Sequence, residues 1–330
     1  MWHPVSCEST NCQRSRYFRV ATILLALLSL PATVIAGSSP ELKVGNGFIT
    51  TRDGVNIHYL IAGTPHLQWH VKVSGKPMGE AQVAPTAGPT LLFVPGWTMP
   101  AWIWQKQIDF FSKNYRVVAM DPRSQGESSE TGEGLYPAVR ARDIKAVVDQ
   151  LHLAPVVLVG WSMAVTELAA YVDQFGTKDI TGFVFVDDNF GGLAPGEGNA
   201  DLLFLGQILG DRQKNTEAFV RHLCFKKLHP ADYINRVIAA CMRTPTSDAV
   251  ALLVGKDAAD YRAAAEKIDK PALFYYADSP YMSAEAQAKI QQSVKGSRLE
   301  VFRGDGHALF MDDPEHFNTV LESFLNALPK

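Results

Sequence analysis

The chain has 330 residues, 47% hydrophobic and 20% charged, with no low-complexity tract and no internal repeat, which fits one large globular domain or two ordinary ones. Its formal charge of −3 leaves no basic footprint for nucleic acid. No His, Cys or acidic residues stand at convincing metal-ligand spacing and no glycine-rich phosphate loop occurs, so the sequence asks for no cofactor.

At the N-terminus, Arg14, Arg16 and Arg19 precede an apolar run from Val20 to about Leu30, and Val34-Ile35-Ala36 follows Pro31 with small residues at cleavage positions. That order predicts a secretory signal peptide over residues 1–36, cleaved after Ala36, and a secreted or periplasmic protein with no stable membrane association afterwards. An uncleaved anchor is the alternative. Removing three arginines and one glutamate takes the formal charge from −3 to −5. Cys7 and Cys12 leave with this segment. Cys224 and Cys241 remain, either as one disulfide in an oxidising compartment or as two buried thiols.

The stretch from Phe48 to Leu60 reads as a hairpin turning at Asp53-Gly54. From Thr64 to Gly88 the chain is punctuated by Pro and Gly, as a long loop or as an extended hairpin using Gln68 to Val73. Strands are predicted near 90–95, 116–121, 155–160, 181–187, 271–277 and 298–302, with helical patterns between, an alternation that predicts a largely parallel sheet covered by helices on both faces. One interval departs from it. Between Phe190 and about Lys270 only helical patterns occur, such as Leu202 to Leu209 and Ala231 to Met242, too long for a connection inside the sheet. A helical cap over 190–269 is predicted, on a core made of 37–189 and 270–330.

Gly160-Trp161-Ser162-Met163-Ala164 ends the apolar run from Ala154 to Val159 and opens an amphipathic helix pattern. A serine at such a junction is exposed by the turn above a buried sheet, and the string matches the nucleophile elbow Gly-x-Ser-x-Gly, with Ala164 in place of the second glycine. Near the C-terminus, the strand pattern Ser297 to Phe302 leads into Gly304-Asp305-Gly306-His307, and a helix starts around Asp312-Asp313-Pro314-Glu315. A histidine on that glycine-bracketed loop can reach toward the elbow serine, which makes His307 the candidate base.

With these segments the chain resembles an α/β-hydrolase, over about residues 48–328. Leu91 to Trp97 is similar to the strand and turn that supply part of the family's oxyanion hole, with Pro95 where histidine is usual. Val117 to Ser128 is similar to the Asp-x-Arg-Gly-x-Gly-x-Ser loop, with Ser124 for a glycine. The resemblance implies a mostly parallel sheet with a helical cap and a Ser162–His307 pair acting through an acyl-enzyme. It puts the oxyanion donors at the backbone N–H groups of Trp97 and Met163. It places the triad acid at the end of the strand Pro271 to Ala277, at Asp278, although the local Gly-x-x-Asp pattern would fall on Pro280. Asp187 or Asp188, after the strand Gly182 to Val186, is the family's alternative acid position. Asp121 reads as a loop-ordering residue.

Aromatic residues crowd the expected mouth: Trp97, Trp102, Trp104, Trp161, Tyr275, Tyr276 and Tyr281. Trp97 and Trp161, beside the oxyanion and nucleophile turns, are the candidate pocket walls, favouring an apolar or aromatic acyl or alcohol group. The leading expectation is a secreted serine hydrolase of a small carboxylic ester or lactone. Cofactor-free perhydrolysis of the haloperoxidase type and carbon–carbon bond hydrolysis fit the same triad. Dehalogenation is disfavoured, because that chemistry needs an aspartate at the elbow. A non-catalytic ligand-binding homologue is the alternative from another class.

Overall fold

The computed structural model describes residues 44–63, 88–192, 198–278 and 282–329. The expected signal peptide with Cys7 and Cys12, the segment from Thr64 to Pro85 and on to residue 87, Pro280 and Tyr281 lie outside them.

Eight strands form one sheet: β1 (Gly45–Thr50), β2 (Asn56–Ala62), β3 (Thr90–Val94), β4 (Val117–Met120), β5 (Val156–Trp161), β6 (Ile180–Val186), β7 (Ala272–Ala277) and β8 (Arg298–Phe302). Their spatial order is β1-β2-β4-β3-β5-β6-β7-β8. The first two pairings, β1 with β2 and β2 with β4, are antiparallel, and the rest are parallel. The hairpin turns at Gly54, whose φ of 83° lies in the left-handed region. Each predicted strand is present within a residue or two, because the central strands are unbroken apolar runs buried on both faces.

Helices cover both faces. In chain order they begin with α1 (Gln105–Phe111), α2 (Pro137–Gln150) and α3 (Met163–Phe175). Between β6 and β7 come α4 (Gly198–Gly210), α5 (Arg212–Ala218), a π-helical segment Phe219–Cys224, α6 (Ala231–Arg243), α7 (Thr246–Asp257) and α8 (Arg262–Ala265). The last three are α9 (Ala284–Ser293), α10 (Leu309–Asp312) and α11 (Pro314–Asn326). Side chains alternate along the strands. Phe93, Val159, Val184 and Tyr275 pack with Ile108, Phe111, Phe317 and Leu321 of α1 and α11. Leu92, Leu158, Phe183 and Phe274 pack with Ile144, Val147, Leu168 and Ala169 of α2 and α3. Arg140 of α2 and Glu167 of α3 form a buried ion pair at 2.5 Å between those helices.

The chain runs from β3 to β4 on one side and then returns to β5 on the other. Such a reversal opens a crevice at the carboxyl ends of the two strands, where ligands bind in open α/β sheets. The register sets Val94 beside Gly160, Trp161 beside Val186, and Val186 beside Tyr275. The residues that follow β3, β5, β6 and β7 therefore meet at one edge.

Candidate active site

Ser162 sits between β5 and α3 with φ 56° and ψ −128°, a conformation that L-residues rarely adopt. The turn is held by its neighbours: Ser162 N–H donates to the Val186 carbonyl at 2.8 Å, and Val165 N–H donates to the Ser162 carbonyl at 2.8 Å. Strain of this kind persists where packing over-determines it, as at sites of chemistry. Gly96, after β3, approaches the turn closely. A Cβ there would stand 2.8 Å from Ser162 Cβ and 3.3 Å from its Oγ, so only glycine lets this backbone pass beside the hydroxyl.

His307 follows β8 on a loop fastened to the segment that ends the π-helical turn. Its N–H donates to the Leu223 carbonyl at 2.9 Å, and Ala308 N–H donates to the Cys224 carbonyl at 2.8 Å. Gly306 permits that contact, since a Cβ would lie 2.4 Å from the Cys224 oxygen. The imidazole Nδ1 lies 2.7 Å from Asp187 Oδ2. Asp187 Oδ1 accepts the Ala277 N–H at 2.9 Å, so both carboxylate oxygens are engaged. Asp187 itself has φ 54°, which an aspartate tolerates better than most side chains.

The acid beside His307 is thus Asp187, one of the two alternatives, and not Asp278. The end of β7 contributes a backbone donor to the acid instead of the acid itself. Asp278 continues the strand pairing, its N–H donating to the Phe302 carbonyl at 2.8 Å, and its side chain is exposed. Asp188 turns elsewhere: its Oδ1 accepts the Asn189 N–H at 2.7 Å and lies 3.3 Å from Lys256 Nζ.

The two tryptophans differ in what they touch. Trp161 is 1% exposed and packs edge-on to Phe310 and Trp104. Its Nε1 donates to the His307 carbonyl at 2.9 Å, and its ring lies 5.3 Å from the imidazole. It is a prop for the histidine loop, which corrects its assignment as an open pocket wall. Trp97 is caged by the helices between β6 and β7, with Phe204 and Phe219 edge-on at 5.5 Å each and its Nε1 donating to the Ala249 carbonyl at 2.7 Å. Phe219 continues from Trp97 to His307, 6.5 Å between ring centres. Trp97 and Met163 share a buried cluster with Leu135 and with Ile208 and Leu252 of the helices between β6 and β7, so their side chains pack against those helices. Met163 heads α3, where first-turn N–H groups have no intrahelical acceptor.

Two residues that the sequence did not single out order these turns. The Gln125 Nε2 donates to the Gly96 and Met99 carbonyls, each at 2.9 Å, clamping the turn that carries Trp97. Asp312 accepts from Gly306 N–H at 2.7 Å and from Lys226 N–H at 2.9 Å through Oδ2, while Oδ1 lies 2.8 Å from His229 Nε2. Neither carries a motif of its own, although Gln125 lies inside the Asp121 to Ser128 loop. Asp121 orders that loop, with Oδ2 accepting from Glu127 N–H at 3.0 Å and lying 2.7 Å from His58 Nδ1.

Cys224 and Cys241 are free buried thiols rather than a disulfide. Burial pushes the Cys224 thiol pKa well up, assisted by Cys241, Asp312 and Asp187, and raises that of Cys241 to about 11. A cleft of about 840 Å³ opens elsewhere, along Thr51, Asp53, Arg123, Tyr136 and Lys145, and includes none of the triad residues. Arg123 there is matched by acids, Asp143 at 2.6 Å and Asp53 at 3.0 Å.

Residues 91–318 match the model of the alpha/beta hydrolase family. The chain belongs to that family. It is 28% identical over 298 residues to a non-heme haloperoxidase of Rhodococcus erythropolis, covering 85% of this chain and 99% of that one. Among solved structures it is similar to a bromoperoxidase from Bacillus anthracis, with a TM-score of 0.73, 21% identity, and coverage of 86% and 100% of the two chains. It is likewise similar to an esterase from Exiguobacterium antarcticum, with a TM-score of 0.72, 21% identity, and coverage of 85% and 99%.

The departures of this α/β-hydrolase from the family pattern have local explanations. Ser124 stands where glycine is usual and keeps the left-handed backbone, φ 61°, while its Oγ accepts the Thr131 N–H at 3.0 Å. Ala164 is fully buried beneath the elbow, where its single methyl group fits.

Proposed function

We propose that this α/β-hydrolase cleaves a small carboxylic ester or lactone through an acyl-enzyme on Ser162. The observation that carries the reading is the 2.7 Å contact of His307 Nδ1 with Asp187, on a histidine loop tied by its carbonyl to Trp161, the residue before the strained Ser162 elbow. A serine hydroxyl is a poor nucleophile until a base takes its proton. With Nδ1–H held by the Asp187 carboxylate, the imidazole keeps its lone pair on Nε2, as base for Ser162 Oγ.

Oγ attacks the ester carbonyl, Nε2 takes the proton, and the carbonyl electrons move onto the oxygen. The backbone N–H groups of Trp97 and Met163 are the donors for that oxyanion, and loss of one such donor costs about a hundred- to a thousand-fold in rate. Collapse of the intermediate expels the alcohol, which takes the proton from His307. Water then repeats the sequence in reverse roles and releases the carboxylic acid. Asp187 stabilises the imidazolium in both halves without itself taking the proton.

Export through cleavage after Ala36 is part of the same proposal and rests on the N-terminal sequence. A second reading has its own support in the haloperoxidase name of the Rhodococcus relative. In perhydrolysis, hydrogen peroxide replaces water on the acyl-enzyme, releasing a peroxycarboxylic acid and restoring the serine hydroxyl. A panel of p-nitrophenyl esters and lactones, run with and without hydrogen peroxide and scored for acid against peracid, separates the two. Ester turnover that depends on Ser162 supports the proposal. Failure of every ester and lactone in the panel overturns it.

A further inference from the structure

Arg212, at the start of α5, is 8% exposed. Its guanidinium stacks over the Trp97 ring, 4.8 Å from the centroid. One terminal nitrogen donates to the Cys241 carbonyl at 3.1 Å and the other to Thr216 Oγ1. Nε has neither solvent contact nor a partner, and no carboxylate among the described residues bonds the group. A guanidinium keeps its charge when buried. Withdrawing such a cation from water costs several kcal/mol, a cost that a facing anion ordinarily offsets. Elsewhere in the fold this holds: buried Arg123 and Arg140 each meet a buried acid.

The neighbourhood is rich in unsatisfied polar atoms. Gln125 Oε1 and Thr244 Oγ1 are buried without partners, and the Thr98 hydroxyl lies against the Cys241 thiol. Thr98 follows Trp97, Gln125 clamps the same turn, and Thr244 caps the end of α6 beyond Cys241, whose Sγ lies 3.6 Å from Met99. A hydroxyl and an unpartnered guanidinium N–H are groups that a carboxylate takes up. Burial draws the Arg212 pKa down, as expected for a cation with no acid beside it. The cluster adjoins the reacting groups through Trp97, then Phe219, then His307.

We infer that Arg212, with the Thr244 hydroxyl, is a recognition site for an anionic group on the substrate, so that the preferred esters carry a carboxylate. This rests on the ester-hydrolase reading, and the test keeps the two apart. Arg212 is here a specificity residue that meets the non-reacting end of the substrate.

Three esters are compared, each kcat/KM divided by that ester's own rate of hydroxide hydrolysis: p-nitrophenyl hydrogen glutarate, p-nitrophenyl valerate as its neutral analogue, and 4-acetoxybenzoate, with the charge on the alcohol side. Wild type is expected to favour one of the two anionic esters over the neutral one by about tenfold or more in kcat/KM, of the size of one charge-assisted contact. Arg212→Met should abolish the preference, lowering kcat/KM on the anionic ester by about tenfold more than on valerate, and Arg212→Lys should retain part of it. Which anionic ester responds tells whether the acyl or the alcohol part carries the charge. A parallel fall on all three esters in Arg212→Met would reduce Arg212 to a support for Trp97 and overturn the inference, as would equal wild-type rates. A thermal shift by glutarate, absent with glutaramide and lost in Arg212→Met, reads the site without turnover. Its absence in a protein that hydrolyses none of the esters overturns the anion site as well, whereas its presence there overturns the ester reading alone.

Discussion

Replacing Asp187 by asparagine separates the two jobs of its carboxylate. One oxygen faces His307 Nδ1 at 2.7 Å and the other accepts the Ala277 N–H at 2.9 Å. Asparagine has one acceptor and one NH₂ group for these two positions. If its oxygen faces the imidazole, its NH₂ confronts the Ala277 N–H, leaving a buried donor unmet at a cost of about 1–3 kcal/mol. If its oxygen accepts from Ala277, the backbone bond survives and the NH₂ donates to Nδ1. The ring proton is then forced onto Nε2, which can no longer accept the Ser162 proton. The second arrangement keeps the fold's hydrogen bonds and is expected to win. Wrong-tautomer enforcement costs about ten-thousand-fold in kcat in a comparable triad, or about 5.4 kcal/mol of barrier. Stability should change by less than about 1 kcal/mol, because no buried group is stranded. The assay is kcat on p-nitrophenyl butyrate, beside the urea midpoint, for Asp187→Asn, Asp188→Asn and Asp278→Asn. Asp278→Asn, at an exposed side chain, should stay within about threefold of wild type. Asp187→Asn near wild type with Asp278→Asn collapsed would refute the reasoning.

Ser162→Gly should abolish turnover and stabilise the protein by about 1 kcal/mol, since glycine relieves the left-handed backbone; a lower urea midpoint would contradict the strain. Arg140→Met strands Glu167 and should destabilise by about 3–5 kcal/mol. Burial raises the Glu167 pKa and Arg140 opposes it, so without Arg140 the folded-state pKa moves further above the unfolded value. The variant should then lose stability as pH rises through the unfolded carboxylate range, a trend that denaturation at pH 4 and pH 8 measures. Expression with export should give a mature chain beginning at Gly37, read by intact mass; a retained N-terminus in the membrane fraction would mean that the apolar run is an anchor.

The sheet was legible because its central strands are continuous apolar runs and its punctuation falls at their ends. The elbow and the histidine loop were legible because each is a contiguous motif. Asp187 was not separable from Asp278 along the chain, since both end strands at the same edge and the deciding contact, Ala277 N–H on Asp187, joins residues 90 apart. The nearer cue was topological: β6 is paired with the nucleophile strand β5, and β7 lies one strand further out. Trp161 reads as a pocket wall in sequence because it abuts the serine, but strand alternation turns it to the face where Phe310 and Trp104 lie. The cage on Trp97 is drawn from Phe204, Phe219, Arg212 and Ala249, more than a hundred residues away, and no local pattern announces it.

The central claim is that Ser162 is a nucleophile activated by His307. Incubation of the purified protein with a fluorophosphonate probe, followed by peptide mass mapping, tests it most directly. The account predicts one adduct, on Ser162, absent in Ser162→Ala and strongly slowed in His307→Ala and Asp187→Asn. No adduct, an adduct on another residue, or labelling of Ser162 at an unchanged rate in His307→Ala would contradict it.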